Sequence, residues 1–484
     1  MVAPAAPARI YAVQEFVPTD IEFPPMHPLQ SGSMVRLDIT SMAVGGDGVS
    51  RIDGDGLVVF VEGGAPGDSA DVELTEVHRH YARGRVRKVH VASADRVDPP
   101  CPIYDRCGGC HLQHLSDEAQ LRLKSHIVRE ALRLGHLTDV PVRPCLPTRA
   151  WEYRSKMQLV AGFKQGPLLG LYERHSHRVV PLEHCLIAHP LANRVMAAAS
   201  EAVARLGWEV YDERTGGGLL RHVIARVSEA HDEALVVVVA TREALPREDE
   251  FVAMLRARVP EVVGVMVNEN TRRTNVILGP RTRHVWGRDH IVEVVTVPPG
   301  PVGVQFRIGP SSFFQINRVG LEEIGRLVRH YLEPRPEDVV VDGYCGVGAI
   351  SLLLASSVGR VIGIEEVDEA VRAARENVRL NDVHNAQFVT DRVERELVRI
   401  VARGEKVDAV VLDPPRKGCD IAVLETIAKL RVPRVVYVSC NPATLARDLA
   451  LLAGMGYGAD EIQPLDMFPQ TSHVECVTRV RIST

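Results

Sequence analysis

The stretch EDVVVDGYCGVGAISLLLA, residues 337–355, decides the fold class of this chain. Its consecutive valines are apolar on both faces, as a strand inside a parallel sheet must be. The run stops at Asp342, and Gly343, Gly346 and Gly348 then form a turn in which backbone comes close to a ligand or neighbour. An apolar segment of helical character follows. The same strand, turn and helix recur in RVIGIEEVDEAVRAARENVRLND (360–382), AQFVTDRVERELVRIVA (386–402), KVDAVVLDPPRKG (406–418) with 420–430, and RVVYVSCNPATLARDLALLAGMG (434–456). Five such units predict a doubly wound α/β sheet, with ligands at the carboxyl ends of its strands. The closing β-like runs near 457–463 and 474–482 have no helix between them and are expected to pair antiparallel at the sheet edge.

The rest of the chain reads differently. At 484 residues several domains are expected. We divide it into a Pro-rich flexible lead-in (1–30), a small β-barrel (31–92), a central, mainly-β domain (93–300) and the α/β domain (301–484). The barrel is read from short β-like runs broken by Gly-Gly-Asp-Gly, Asp-Gly-Asp-Gly and Gly-Gly-Ala-Pro-Gly-Asp. It ends in HRHYARGRVRKVHV (78–91), five Arg or Lys with no acid, which suits a solvated edge strand or a phosphate-binding rim. In the central region, strands are expected at 219–227, 234–240, 262–268 and 291–297, with helices near 190–206 and 249–258. RSKMQ (154–158) is a basic strand start able to face a negative ligand.

Composition is that of a globular protein, 45% hydrophobic and 25% charged, and a net charge of −5 argues against a uniformly basic coat. The longest apolar runs, such as ALVVVVA (234–240), are too short to span a membrane. No secretory signal is evident, so a cytoplasmic monomer without disulfides is expected.

Candidate site residues cluster at the strand ends. Glu365 ends the second strand 23 positions after Asp342, suited to ribose hydroxyls. Asp413 ends the fourth strand, and the two prolines after it stop the ladder at the rim. Cys440 ends the fifth strand just before an Asn-Pro helix start, where free N–H groups and the macrodipole favour a thiolate. Elsewhere such a cysteine is usually a small buried hydrophobe; at this rim it reads as a nucleophile. Cys101, Cys107 and Cys110 are closely grouped, and with Cys185 they make four thiolates suited to structural zinc or an iron–sulfur cluster.

The Asp342-led turn resembles that of class I (Rossmann-like) S-adenosylmethionine-dependent methyltransferases. Asp-Pro-Pro followed by Arg416 departs from amino-group methyltransferases, which have an aromatic residue there. DPPRKG (413–418), SCNP (439–442), SSFFQIN (311–317), DGYCGVGAISL (342–352) and TSHVEC (471–476) together resemble the RNA 5-methyluridine methyltransferase family. The resemblance implies Cys440 as nucleophile on uracil C6 and Glu475 as the base removing the C5 proton. It implies Gln315, Tyr344, Glu365 and Asp413 as contacts to S-adenosylmethionine, with Asp391 a secondary candidate. Ala349 departs from the Asn or Thr common at that place, and Asn317 is read as a helix cap. CPIYDRCGGCHLQHL (101–115) and HCLIAHP (184–190) resemble the iron–sulfur members, implying a [4Fe-4S] cluster on the four cysteines. The barrel resembles the TRAM domain, which favours the phosphate-binding rim. The implied substrate is RNA, with 23S ribosomal RNA ahead of tRNA. Cytosine or amino methylation, or a non-catalytic iron–sulfur RNA-binding protein, are the competing readings.

Overall fold

The computed structural model of the chain describes residues 29–52, 56–297 and 303–483. The expected lead-in, 1–30, lies outside them apart from Leu29 and Gln30.

The C-terminal sheet has seven strands: β1 (Val339–Gly343), β2 (Arg360–Glu365), β3 (Ala386–Thr390), β4 (Ala409–Leu412), β5 (Arg434–Ser439), β6 (Tyr457–Leu465) and β7 (Glu475–Ile482). Their order is β3-β2-β1-β4-β5-β7-β6. The first five run parallel, and β7 inserts antiparallel between β5 and β6. Val340, Val341, Val361, Val410, Val411, Val435 and Val436 are fully buried, because helices cover both faces of a parallel sheet. The register decides the chemistry. Ser439 is the last residue of β5 and pairs with Cys476, so one step further Cys440 faces Glu475. On the other side of β5, Leu412 pairs with Tyr437, and Asp413 follows.

The barrel is a six-stranded sheet in which one segment serves both edges. Met34–Asp38 pairs with Ser69–Val77, and Ser41–Met42 then pairs with Gly48–Arg51. The backbone N–H of Ile39 donates to Asp68 and that of Thr40 to Val49, so the bend between them closes the barrel around Leu37, Ile39, Val59, Val61, Val72 and Leu74. Its basic strand, Tyr81–Val91, is largely matched by neighbouring acids. Arg83 pairs with Asp47, Arg85 with Glu62, Arg87 with Glu73 and His90 with Asp71. The rim is therefore less positive than its sequence suggests.

The central sheet also has seven strands, with expected elements at Leu220–Ser228, Glu233–Ala240, Val262–Glu269 and Ile291–Val295, the last in a separate two-stranded ribbon. Period-two alternation gives it two buried faces. Val223, Ala225, Leu159 and Val236 pack on the helix Pro190–Leu206. Ile224, Leu235, Val237 and Val239 pack with Phe306, Phe314 and Leu321 toward the C-terminal domain.

The helix Asp117–Leu134, unforeseen from the sequence, joins the C-terminal core through Leu123, Ile127 and Leu132 against Leu445 and Leu449. Ser116 caps it and Asp117 and Glu118 complement its dipole, a start signal the sequence does carry. Its Lys124, wholly buried, pairs with Asp466 and donates to the Phe468 carbonyl at 3.1 Å. Burial pushes the Lys124 amine down and the Asp466 carboxyl up, each against the pull of the other. Removing one partner strands the other, so Lys124→Met is expected to cost about 3–5 kcal/mol in chemical denaturation.

Candidate functional site

Two groups of residues meet at the carboxyl edge of the C-terminal sheet. The first surrounds the glycine turn after β1. Tyr344, Gly346 and Gly348 take positive φ values of 65°, 55° and 82°. A side chain at Gly348 would lie 2.7 Å from the Phe388 ring, whereas a Cβ added at Gly346 would meet none of the described residues within 4 Å, so the turn is open on that side. Asp342 is fully buried, and Ser351 Oγ donates to its Oδ2 at 2.5 Å, but its Oδ1 has no hydrogen-bond partner among the described residues. Burial pushes this carboxyl up to about 7. Glu365 braces the turn, accepting from the N–H of Gly346 at 3.2 Å and of Val367 at 2.9 Å.

The strand Val304–Ile308, which precedes the segment carrying Gln315, is tied to the same turn. Asn377 donates to the Val347 carbonyl at 3.1 Å and accepts from the N–H of Arg307 at 2.8 Å. Gln315 itself is half-buried, with no hydrogen-bonding partner among the described residues. Asn317 is the cap expected, its Oδ1 accepting from Gly320 N–H at 3.1 Å. Asp391 ends up committed elsewhere, paired with Arg399 and accepting from the Arg392 N–H. An orphaned carboxylate oxygen, an open glycine turn and a free amide suit an adenosyl ligand with ribose hydroxyls and an amino-acid tail.

The second group is Cys440, Asp413, Glu475 and Arg416. Cys440 precedes the helix Pro442–Gly454, whose cap is Asn441: its Oδ1 accepts from Ala443 N–H at 3.1 Å and its Nδ2 donates to the Arg416 carbonyl at 2.9 Å. Arg416 in turn donates to His473 at 3.0 Å, bridging the Asp-Pro-Pro loop to the loop before Glu475. Glu475 is buried, and burial followed by the charge of Asp413 pushes its carboxyl well up. Burial and then the charge of Asp342 raise Asp413 to about 7.

These carboxylates correct the expectation of a ready thiolate at Cys440. Burial, then Glu475 and Asp413, push its thiol up to about 11, and Arg416 offsets only part of that. The helix terminus is engaged by Asn441 rather than by sulfur. A raised thiol has little thiolate at neutral pH. Iodoacetamide labelling of Cys440, followed by peptide mass spectrometry, is therefore expected to climb through about pH 10 instead of levelling near 8.5. Arg416→Met removes a cation that favours the thiolate and should slow labelling further. A plateau at ordinary thiol pH contradicts this.

The loop 466–473, which delivers Glu475, is pinned by residues the sequence did not single out. Tyr153 Oη donates to the Pro469 carbonyl at 2.9 Å, and the N–H groups of His111 and Leu112 donate to the Gln470 carbonyl at 2.8 and 3.1 Å. Gln120 and Gln470 exchange two hydrogen bonds at 3.0 Å. These partners lie more than 300 positions away, so no local pattern reveals them.

Cys101, Cys107, Cys110 and Cys185 line one cavity of about 90 Å³ with Tyr104, Gln113 and Arg154. Burial raises the Cys110 thiol to about 12, and the other three thiols each add to the rise. Arg174 holds the loop, donating to the carbonyls of Cys107 at 3.1 Å and Cys110 at 2.5 Å and to Glu62 of the barrel at 2.8 Å. Among the described residues, no three His, Cys, Asp or Glu side chains are grouped to hold a single ion. A zinc site would draw its sulfurs to within about 4 Å of one another, whereas a cubane bonds each thiolate to a different iron and spreads them. Four thiols lining one cavity are a donor set that either metal centre could use.

Comparison with known proteins gives a tRNA (uracil-5-)-methyltransferase family match over residues 275–481 and a TRAM domain match over 28–86. An uncharacterized RNA methyltransferase of Halalkalibacterium halodurans is 38% identical over 453 residues, covering 93% of this chain and 97% of the relative. One of Gloeobacter violaceus is 40% identical over 465 residues, covering 95% and 99%. Among solved structures, the Pyrococcus abyssi tRNA (uracil-54, C5)-methyltransferase in complex with S-adenosyl-L-homocysteine superposes with a TM-score of 0.73 and 26% identity, covering 92% of this chain and 99% of that one.

Proposed function

We propose, for a chain that belongs to the S-adenosylmethionine-dependent RNA uracil-5-methyltransferase family, that it methylates uridine C5 through a covalent adduct on Cys440. The observation carrying this reading is the register that sets Cys440 across from Glu475, with Asp413 on the adjoining strand end. Uracil C5 is a poor nucleophile. Cys440 first loses its proton to solvent; addition of its thiolate to C6 then pushes the C5=C6 electrons towards O4 and makes C5 carbanion-like, so that C5 bonds to the methyl carbon as the methyl–sulfur bond breaks and S-adenosylhomocysteine departs. S-adenosylmethionine, when bound, supplies the electrophilic methyl group. Glu475 then takes the C5 proton, the C5=C6 bond re-forms, and the sulfur leaves as thiolate. Thiol and methyl group must approach opposite faces of the ring, so the target base is expected to be flipped out of its stack. Gln315, Tyr344, Glu365 and Asp413 are the proposed cofactor contacts, with Asp391 secondary because Arg399 already holds it.

Cys101, Cys107, Cys110 and Cys185 would hold the [4Fe-4S] cluster in a structural role. Their loop is bonded to the loop that delivers Glu475 through His111, Leu112 and Gln470. For the substrate we favour 23S ribosomal RNA, on the family resemblance of barrel and cysteine loop together. A tRNA substrate is the second reading, favoured by the name of the Pyrococcus enzyme. Mapping 5-methyluridine by nucleoside mass spectrometry in rRNA and tRNA of a deletion strain and its complemented parent decides between them. Loss from neither pool sinks the uridine-C5 reading.

A further inference from the structure

Lys156 and Arg226 stand directly opposite each other on neighbouring antiparallel strands of the central sheet, Lys156–Phe163 and Leu220–Ser228. Opposed residues of such a pair share one face with Cβ atoms about 5 Å apart, where like charges repel. Arg226 is only 4% exposed, and among the described residues its Nε has no hydrogen-bond partner. Burial pushes it down to about 10, and no carboxylate offsets this. Lys156 is brought down to about 8, first by burial and then by Arg226 and Arg154. A third cation, Arg154, donates from Nε to the Lys156 carbonyl at 3.1 Å. A fold that keeps a buried, unpaired guanidinium beside other cations does so against its own stability.

The place of these cations suggests what they serve. Ile224, on the same face as Arg226, packs toward the C-terminal domain with Phe306 and Phe314. Between the strands' ends and that domain, Ser155 donates both its N–H and its Oγ to the Ile316 carbonyl, at 2.8 and 3.1 Å. Ile316 follows Gln315. The cationic pair therefore borders the segment that carries Gln315, a proposed cofactor contact.

We propose that Lys156 and Arg226 form a binding site for a backbone phosphate of the substrate RNA, close to the target nucleotide. The proposal rests on the RNA methyltransferase reading. A phosphodiester presents two acceptor oxygens, one for the planar guanidinium fork and one for the ammonium point charge. Its charge neutralises the repulsion across the two strands.

The test measures binding of labelled oligouridylate by fluorescence anisotropy over a potassium chloride series, for the full chain and for Lys156→Met, Lys156→Arg and Arg226→Met. Affinity for S-adenosylmethionine and thermal melting are followed in parallel. Lys156→Met is expected to weaken RNA binding about tenfold, and to reduce the slope of log affinity against log salt by about 0.7, the value of one single-strand phosphate contact. Lys156→Arg should restore both. Affinity for S-adenosylmethionine should stay unchanged, and melting should not fall, because a repulsive contact is being removed. Wild-type protein that binds no oligouridylate overturns the RNA reading itself. Wild-type binding with unaltered affinity and slope in the variants overturns only the phosphate site. The site also falls if inorganic phosphate alone saturates it, or if the variants lose melting temperature and cofactor affinity together.

Discussion

Cys440→Ala is expected to abolish methyl transfer, a loss of at least about 10⁴-fold, because it removes the sulfur that adds to C6. Cys476, the nearest thiol along β7, is fully buried, and burial and Glu475 push it far up, so it cannot substitute. Cys419 is also buried and is raised to about 12. The diagnostic measurement uses RNA carrying 5-fluorouridine. Fluorine at C5 cannot leave as a proton does, so wild-type protein with S-adenosylmethionine should stay covalently joined to the RNA and migrate as one denaturation-resistant band. The alanine variant should give free protein and free RNA while still binding both ligands. A covalent band from that variant would place the nucleophile elsewhere and remove the central step of the proposed mechanism.

The sheet and its site were legible in the sequence to different depths. Asp342, Glu365, Asp413 and Cys440 each lie within one residue of a strand end, and turn residues such as Gly and Pro near a strand end are local information. The antiparallel closing strands were legible too, since no helix separates them. The charge state of Cys440 was not. It depends on a carboxylate that arrives across the β5–β7 register and on Asp413 beside it, and the helix terminus alone suggests the opposite sign. The fate of RSKMQ was hidden for the same reason: that Lys156 faces Arg226 depends on which residues pair across two strands 70 positions apart. Likewise, the basic run 78–91 announced a positive rim, but Glu62, Glu73 and Asp71 answer it from other strands. Local turn chemistry thus locates the site, and long-range pairing sets its electrostatics.

Glu475→Gln should separate methyl transfer from release. The amide cannot take the C5 proton, yet it is nearly isosteric and leaves Cys440 free to add and the methyl group free to be captured. Turnover is expected to fall at least about 10³-fold, whereas a covalent protein–RNA complex should now accumulate on ordinary uridine RNA, without fluorine. Burial and the charge of Asp413 raise Glu475, so the wild-type carboxylate is more fully ionised at higher pH, and the release step should accelerate as pH rises through its raised titration. The glutamine variant has no such group, so its residual release should lose that dependence. Quenched-flow sampling with radiolabelled methyl donor distinguishes the stages: one methyl group per Cys440 should appear on RNA still attached to protein. If the variant instead gives neither adduct nor methylated RNA, Glu475 is needed before the C5 step, and the proton acceptor must be sought at Asp413, whose charge acts on Glu475.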